Sequence, residues 1–119
     1  MLLFTDAYDV IITASEDELL NRFDAIGDKA DDMRVLISAE DLLWPDLSLE
    51  SQYPQTRYKR FLCSGGIMAY ADTFYKLINY KTVEDGDDDQ LFYTKAFLDK
   101  GTFSLFSMKF NQQSKVTRC

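Results

Sequence analysis

The sequence predicts an α/β layer fold, a small sheet with helices packed on it. Three observations point there. Short apolar or β-branched runs alternate with segments of helical period, in the order strand, helix, strand, loop, strand, helix, acidic loop, helix. Apolar residues make up 46% and aromatics 14% of 119 residues, enough for one packed domain and too few residues for two. Acidic residues stand where strands end, at Asp6, Asp9 and Glu40. Open α/β sheets bind ligands beyond the carboxyl ends of their strands.

Each element has a local reason. Residues 2–5, "LLFT", read as the end of a buried strand, and Val10 to Ile12 continue apolar and β-branched after an acidic turn. "TASEDELLNRF" reads as a helix with Ser15 as N-cap, Glu18 completing a capping box, and Leu19, Leu20 and Phe23 on one face. Residues 27–34 form a polar connection. "VLIS", 35–38, is a second buried strand. Residues 44–60 hold both prolines and little periodicity, so an irregular loop is expected. "FLCSGGIMAYA", 61–71, reads as strand, tight backbone feature, strand, because paired glycines interrupt an apolar run. Phe74, Leu77 and Ile78 mark a helix over 72–80. "EDGDDD", 84–89, is an acidic loop, and 89–99 a helix with acids at the end its dipole favours. "TFSLFSMKF" can form a strand, and "NQQSKVTRC" reads as a tail.

Composition excludes several chemistries. The formal charge is −7, with 13 basic and 20 acidic residues, which argues against nucleic-acid binding through basic surface. No apolar run is long enough to span a membrane, and "MLLFTD" lacks the basic start of a signal peptide. The chain holds no histidine, which removes imidazole bases and ligands. Any metal must then be held by oxygen, which favours hard ions such as Mg²⁺, Ca²⁺ or Mn²⁺. Cys63 has no histidine to activate it as a nucleophile.

Four constellations carry candidate chemistry. Asp6 and Asp9 are three residues apart, a spacing that about two pairs reach by chance among the aspartates of this chain. Their place at a strand end is the better argument: an acidic surface turn and a metal site at the mouth of a sheet both explain it. Asp88 and Asp89 lead directly into an apolar helix, as a solvated loop or as acceptors facing a ligand. Ser64, Gly65 and Gly66 bring bare backbone into an apolar run, for a ligand or for a bulge. Trp44 precedes a proline in a loop, as core packing or as a wall against a sugar ring.

Taken in order, "FTDAYDVI", "ELLNRF", "ISAEDLLWPD", "YPQTRYKRFLCSGGIMAYA" and "DDDQLFYTKAFLD" resemble the glycosyltransferase domain of the procollagen lysyl hydroxylases (procollagen-lysine 2-oxoglutarate 5-dioxygenases), itself related to the collagen galactosyltransferases. The resemblance covers roughly residues 2–99. It implies part of a GT-A, Rossmann-like glycosyltransferase domain, with 1–100 as its central part and 101–119 as a divergent C-terminal tail.

The resemblance also implies roles. Asp6 and Asp9 match the family's Asp-x-x-Asp element, which would bind Mn²⁺ on the diphosphate of a UDP-sugar. Trp44 would line the acceptor or sugar site. Asp88 and Asp89 would orient sugar and acceptor hydroxyls, one of them serving as base. Ser64, Gly65 and Gly66 would approach the donor sugar. The acceptor would be hydroxylysine, or its galactosylated form, in collagen. Family members work in the rough endoplasmic reticulum lumen and carry a separate hydroxylase domain using Fe(II), 2-oxoglutarate and ascorbate, which has no counterpart here. The family's further metal ligand, a histidine after the "FLD" segment, has none either. The expectation is therefore a glycosyltransferase fragment, with homodimerisation of the parent left open. The rival is a non-catalytic module that binds collagen or a partner enzyme.

Overall fold

A computed structural model describes residues 1–28, 32–56, 59–102 and 108–111. Four strands form one sheet: β1 (Leu2–Thr5), β2 (Val35–Glu40), β3 (Phe61–Ala69) and β4 (Met108–Asn111). Their spatial order is β1-β3-β2-β4. Both β1 and β2 run antiparallel to β3, and β4 runs parallel to β2. Hence β1, β2 and β4 all point their carboxyl ends to the same edge of the sheet.

Helix α1 (Glu16–Gly27) covers one face of the sheet. Its Phe23 packs with Met33 and Leu36, flanked by Ile26 and Met68. Helices α2 (Ala71–Ile78) and α3 (Asp89–Leu98) cover the other face, where Phe74, Leu77, Tyr93, Ala96 and Phe97 meet Val35, Ile37, Leu62 and Ile67. Central strand β2 therefore buries both faces, which is why it reads as a continuous apolar run and not as an alternation. Each fully buried Ile or Leu here contributes about 1.5–3 kcal/mol.

The local signals act largely as their chemistry predicts. Ser15 caps α1, its Oγ accepting the Glu18 N–H at 3.2 Å. The return arm of the capping box does not form, because Glu18 Oε1 pairs instead with Arg22 at 2.6 Å. Arg34 fixes the start of β2 to α2: its Nε donates to Thr73 Oγ1 at 2.9 Å and its guanidinium lies 4.7 Å from the Tyr70 ring centroid.

Five expectations change in detail. Strand β1, expected to be buried, exposes Leu3 and Phe4. Val10 to Ile12 form no strand, and Ile11 and Ile12 face solvent. The loop expected over 44–60 contains a 3₁₀ helix, Leu47–Gln52, capped by Asp46, whose carboxylate accepts both the N–H and the hydroxyl of Ser48. Its far end is tied down by Tyr53, which donates to Thr94 Oγ1 at 3.3 Å, and by Arg60, which grips Glu50 at 3.2 Å. The paired glycines do not divide 61–69 into two strands. Residues 61–69 stay extended as one strand, and the surplus residues are absorbed by a register shift against β2. On α2, Thr73 joins Phe74 and Leu77 in the buried face while Ile78 lies at its margin.

The strand expected within 102–110 is found as β4, Met108–Asn111. Residues 29–31 of the polar connection, 57–58 of the loop, 103–107, and 112–119 of the expected tail lie outside the described residues. Among the described residues, no helix is long and apolar enough to cross a membrane.

Candidate active site at the carboxyl edge of the sheet

The sheet edge where β1 and β2 end gathers most of the candidate residues. Residue Asp6 follows Thr5, the last residue of β1, and Glu40 is the last residue of β2. Strand β3 enters the sheet from this same edge, with Phe61 opposite Glu40.

The register of β3 explains its glycines. Ile37 pairs with Ile67, but the next residue, Ser38, pairs with Cys63. Ser64, Gly65 and Gly66 are thus surplus on the β2 side, and they form a bulge in the middle of the sheet. On its other side the same segment still pairs with β1: Thr5 faces Gly66, and the Asp6 N–H donates to the Gly65 carbonyl at 3.3 Å. Gly66 is needed for space. A Cβ there would lie 2.5 Å from Ser38 Oγ.

The bulge leaves the Ser64 N–H, on a residue 5% exposed, to find a partner outside the ladder. That partner is the side chain of Gln90, in the first turn of α3. Gln90 Oε1 accepts the Ser64 N–H at 3.2 Å, and the Ser64 hydroxyl lies at 3.5 Å. Its Nε2 donates to Glu40 Oε1 at 3.0 Å and to the Trp44 carbonyl at 3.2 Å. One amide side chain therefore joins the end of β2, the Trp44 loop, the bulge of β3 and the start of α3. Burial pushes the Glu40 carboxyl above its usual range, outweighing the opposing effects of the Gln90 hydrogen bond and nearby Lys59.

Asp88 and Asp89 immediately precede Gln90 and so sit beside this node. Asp88 is the N-cap of α3, its Oδ1 accepting the Leu91 N–H at 2.8 Å. Asp89 Oδ1 accepts the Gln90 N–H at 2.8 Å. Both are exposed. Trp44 is 61% exposed, so it is a surface residue and not core packing.

The structure thus brings together Ser64, Gly65, the backbone of Asp6, the Trp44 loop and, through Gln90, Asp88 and Asp89. Gly66 sits against Ser38, inside the sheet. Asp9 stands apart on the exposed bends of residues 7–9, with no described contact to the node. Among the described residues, no three acidic or cysteine side chains converge as a metal-binding group. A cavity of about 440 Å³ lies elsewhere, between β1 and α1, lined by Leu3, Ile12, Leu19, Leu20 and Met68.

Gln90 is the residue that sequence reasoning passed over. Its signal was its place at the end of the acidic run, in the first turn of an apolar helix. Glu40 stood out as an acid at a strand end, but nothing in its spacing tied it to Gln90.

Comparison with known proteins places this geometry in a family. The family model described as "PLOD GT domain" matches residues 1–118. The chain is 39% identical over 117 residues to the human "Multifunctional procollagen lysine hydroxylase and glycosyltransferase LH3", with 98% of this chain and 15% of the relative covered. A Caenorhabditis elegans "Multifunctional procollagen lysine hydroxylase and glycosyltransferase" is 39% identical over 117 residues, with 98% of this chain and 16% of the relative covered. A Drosophila melanogaster "Procollagen-lysine,2-oxoglutarate 5-dioxygenase" is 42% identical over 118 residues, again with 98% of this chain and 16% of the relative covered. The chain spans about 15% of the length of the human protein. The mixed sheet with its two helical layers, ending in the Asp6, Gly65 and Gln90 edge, is accordingly that of a member of the procollagen lysyl hydroxylase glycosyltransferase-domain family.

Proposed function

We propose that this chain forms the catalytic edge of a glycosyltransferase domain that moves a sugar from a UDP-sugar onto hydroxylysine of collagen. The observation that carries this reading is the Gln90 node. It gathers at one sheet edge a glycine-rich backbone segment, an exposed aromatic side chain and a pair of aspartates, and the Asp6 backbone bonds to the same bulge.

Asp6 and Asp9 would hold the metal. Exposed carboxylates at a strand end are hard oxygen donors, and two of them, with diphosphate oxygens and water, fit the coordination of a hard divalent ion such as Mn²⁺. When bound, such an ion stabilises the negative charge that develops on the departing UDP. The rest is done by the chain. Trp44 offers a flat apolar face to a sugar ring. Gly65 and Gly66 bring backbone to the donor without a side chain between. Asp88 or Asp89 accepts the proton of the acceptor hydroxyl as its oxygen bonds to the anomeric carbon and the bond from that carbon to the diphosphate breaks. The second Asp88 oxygen is the candidate acceptor, since the first caps α3. The parent protein acts where collagen is made, in the lumen of the endoplasmic reticulum.

The test is the thermal melt of the chain with Mn²⁺, with UDP and with both. Ligands at a hundred times their dissociation constant stabilise the folded state by about 2.7 kcal/mol. For a chain of this size that is a rise of roughly 10 °C in the midpoint. The double variant D6A/D9A should melt like the wild type without ligand, because both carboxylates are exposed, and should lose the shift. A wild-type midpoint that does not move with Mn²⁺ and UDP together refutes the reading for this chain.

A further inference from the structure

The loop that carries Trp44 exposes more than the tryptophan. Leu42 is 75% exposed, Trp44 61% and Leu47 70%, three large apolar side chains within six residues. Scattered singly such residues mean little, but a cluster beside a candidate site marks a contact surface. This cluster is rimmed by acids. Asp41 and Asp46 interleave with it, and no basic residue occurs between Asp41 and Glu50. The hydrogen bond from Gln90 to the Trp44 carbonyl places the loop beside the start of α3, whose preceding segment, 84–89, holds five acids in six residues. Among the described residues, Lys59 acts on Glu40, Lys95 acts on Asp46 and Arg60 pairs with Glu50. Among the described residues, no ion pair falls on Asp41 or on the acids of 84–89. The hydroxyl and N–H of Ser48 lower the Asp46 carboxyl from its usual range, which favours its charged form.

We infer that the Leu42, Trp44 and Leu47 face is the docking surface for the acceptor chain on either side of the reacting residue, and that it selects acceptors flanked by cationic side chains. The inference rests on the proposed transferase reading and deepens it. Apolar side chains supply affinity for an extended peptide rich in proline and glycine, and the acidic rim favours Lys or Arg and disfavours Glu or Asp. Reaction chemistry is left to Asp88 and Asp89, and sequence preference to Asp41 and Asp46.

The chain's single tryptophan serves as the reporter. Trp44 emission is followed while the whole chain is titrated with two peptides lacking tryptophan. Both are proline- and glycine-rich with a central hydroxylysine, one flanked by arginines and one by glutamates. The arginine peptide should bind roughly tenfold more tightly, and the difference should shrink in high salt, as expected for exposed charges. D41N/D46N retains a capping oxygen at residue 46 and should reduce the preference roughly threefold. L42S/L47S should weaken both peptides alike. Melts matching the wild type establish that both variants are folded. Equal affinity for the two peptides, or no change in Trp44 emission with either, overturns the inference. Donor binding is read separately from the Mn²⁺ and UDP melt. A donor shift without peptide preference defeats only this inference, and peptide preference without a donor shift defeats only the transferase reading.

Discussion

Replacing Gln90 by alanine tests the node directly. The side chain makes four hydrogen bonds that cross between elements: Ser64 N–H at 3.2 Å, the Ser64 hydroxyl at a long 3.5 Å, Glu40 carboxylate at 3.0 Å and Trp44 carbonyl at 3.2 Å. They do not count equally, and the long hydroxyl bond adds little. The Trp44 carbonyl is exposed and water replaces Gln90 at little cost. The Ser64 N–H is buried, and an unsatisfied buried donor costs about 1–3 kcal/mol. The bond to the partly buried Glu40 carboxylate adds a charge-assisted contribution of about 1.5–3 kcal/mol. Against these stands the rotamer freedom that an ordered glutamine gives up, at most about 2 kcal/mol. The net loss is about 2 kcal/mol. At roughly 4 °C per kcal/mol for 119 residues, the midpoint falls by about 8 °C. The assay is a thermal melt by circular dichroism, with urea unfolding to convert midpoints to free energy. Gln90→Met is the control. It keeps the volume and loses the hydrogen bonds, so it should fall almost as far as alanine. An alanine variant melting within 2 °C of the wild type would refute the claim that Gln90 holds the edge together.

Two further outcomes follow from the same geometry. Gly66→Ala should cost about 1–3 kcal/mol, because its Cβ would stand 2.5 Å from Ser38 Oγ, and most of that loss should return in the Ser38→Ala/Gly66→Ala double variant. A double variant no more stable than Gly66→Ala would show that the clash is not with Ser38. Glu40→Gln should stabilise the chain at neutral pH. Burial raises the Glu40 carboxyl above 4.5, so as pH rises past 4.5 the unfolded chain ionises first and the native state loses stability until Glu40 ionises too. The glutamine carries no such penalty and still offers an oxygen to Gln90. The gain over wild type should vanish in melts below pH 4.5, and a gain that persists there would mean ionisation is not its cause.

What could be read from the sequence was what short-range chemistry decides. The Ser15 cap depends on a residue three positions away, the burial of β2 on its own run of apolar residues, and the start of α3 on Asp88 and its neighbours. What escaped depends on partners far along the chain. The two glycines in "CSGG" signalled close backbone approach, but whether they would break the strand depended on β2, whose Ser38 lies 28 residues before Gly66. Only the register against Ile37 and Ser38 makes them a bulge within one continuous strand. Gln90 is the clearer case. Its partners lie 50, 46 and 26 residues away, at Glu40, Trp44 and Ser64, and nothing near residue 90 foretells them. The Leu47–Gln52 helical turn was missed because its anchors, Tyr53 to Thr94 and Arg60 to Glu50, are tertiary while its own sequence lacks period.

The division between buried and exposed groups at this edge has a consequence for how mutations should sort. The carboxylates proposed to do chemistry, Asp6, Asp9, Asp88 and Asp89, all face solvent. The groups that hold the edge together, the Ser64 N–H, Gly66 and Gln90, are buried or half-buried and hydrogen-bonded or sterically tight. Exposed carboxylates keep their hydration and add little to stability, so their removal should abolish ligand binding and leave the ligand-free melt near that of the wild type. Changes at Gln90 or Gly66 should lower the melt first and disturb binding only through displacement of the edge. Asp88 is the informative exception, because its Oδ1 also caps α3. Asp88→Asn keeps an oxygen for the cap and removes the charge, so it should hold the melt while losing the proton acceptor. Asp88→Ala should lose both, with about 1 kcal/mol of helix stability going with the cap. If Asp88→Asn lowered the melt as far as alanine, the charge of Asp88 would be structural, and the acceptor role would pass to Asp89.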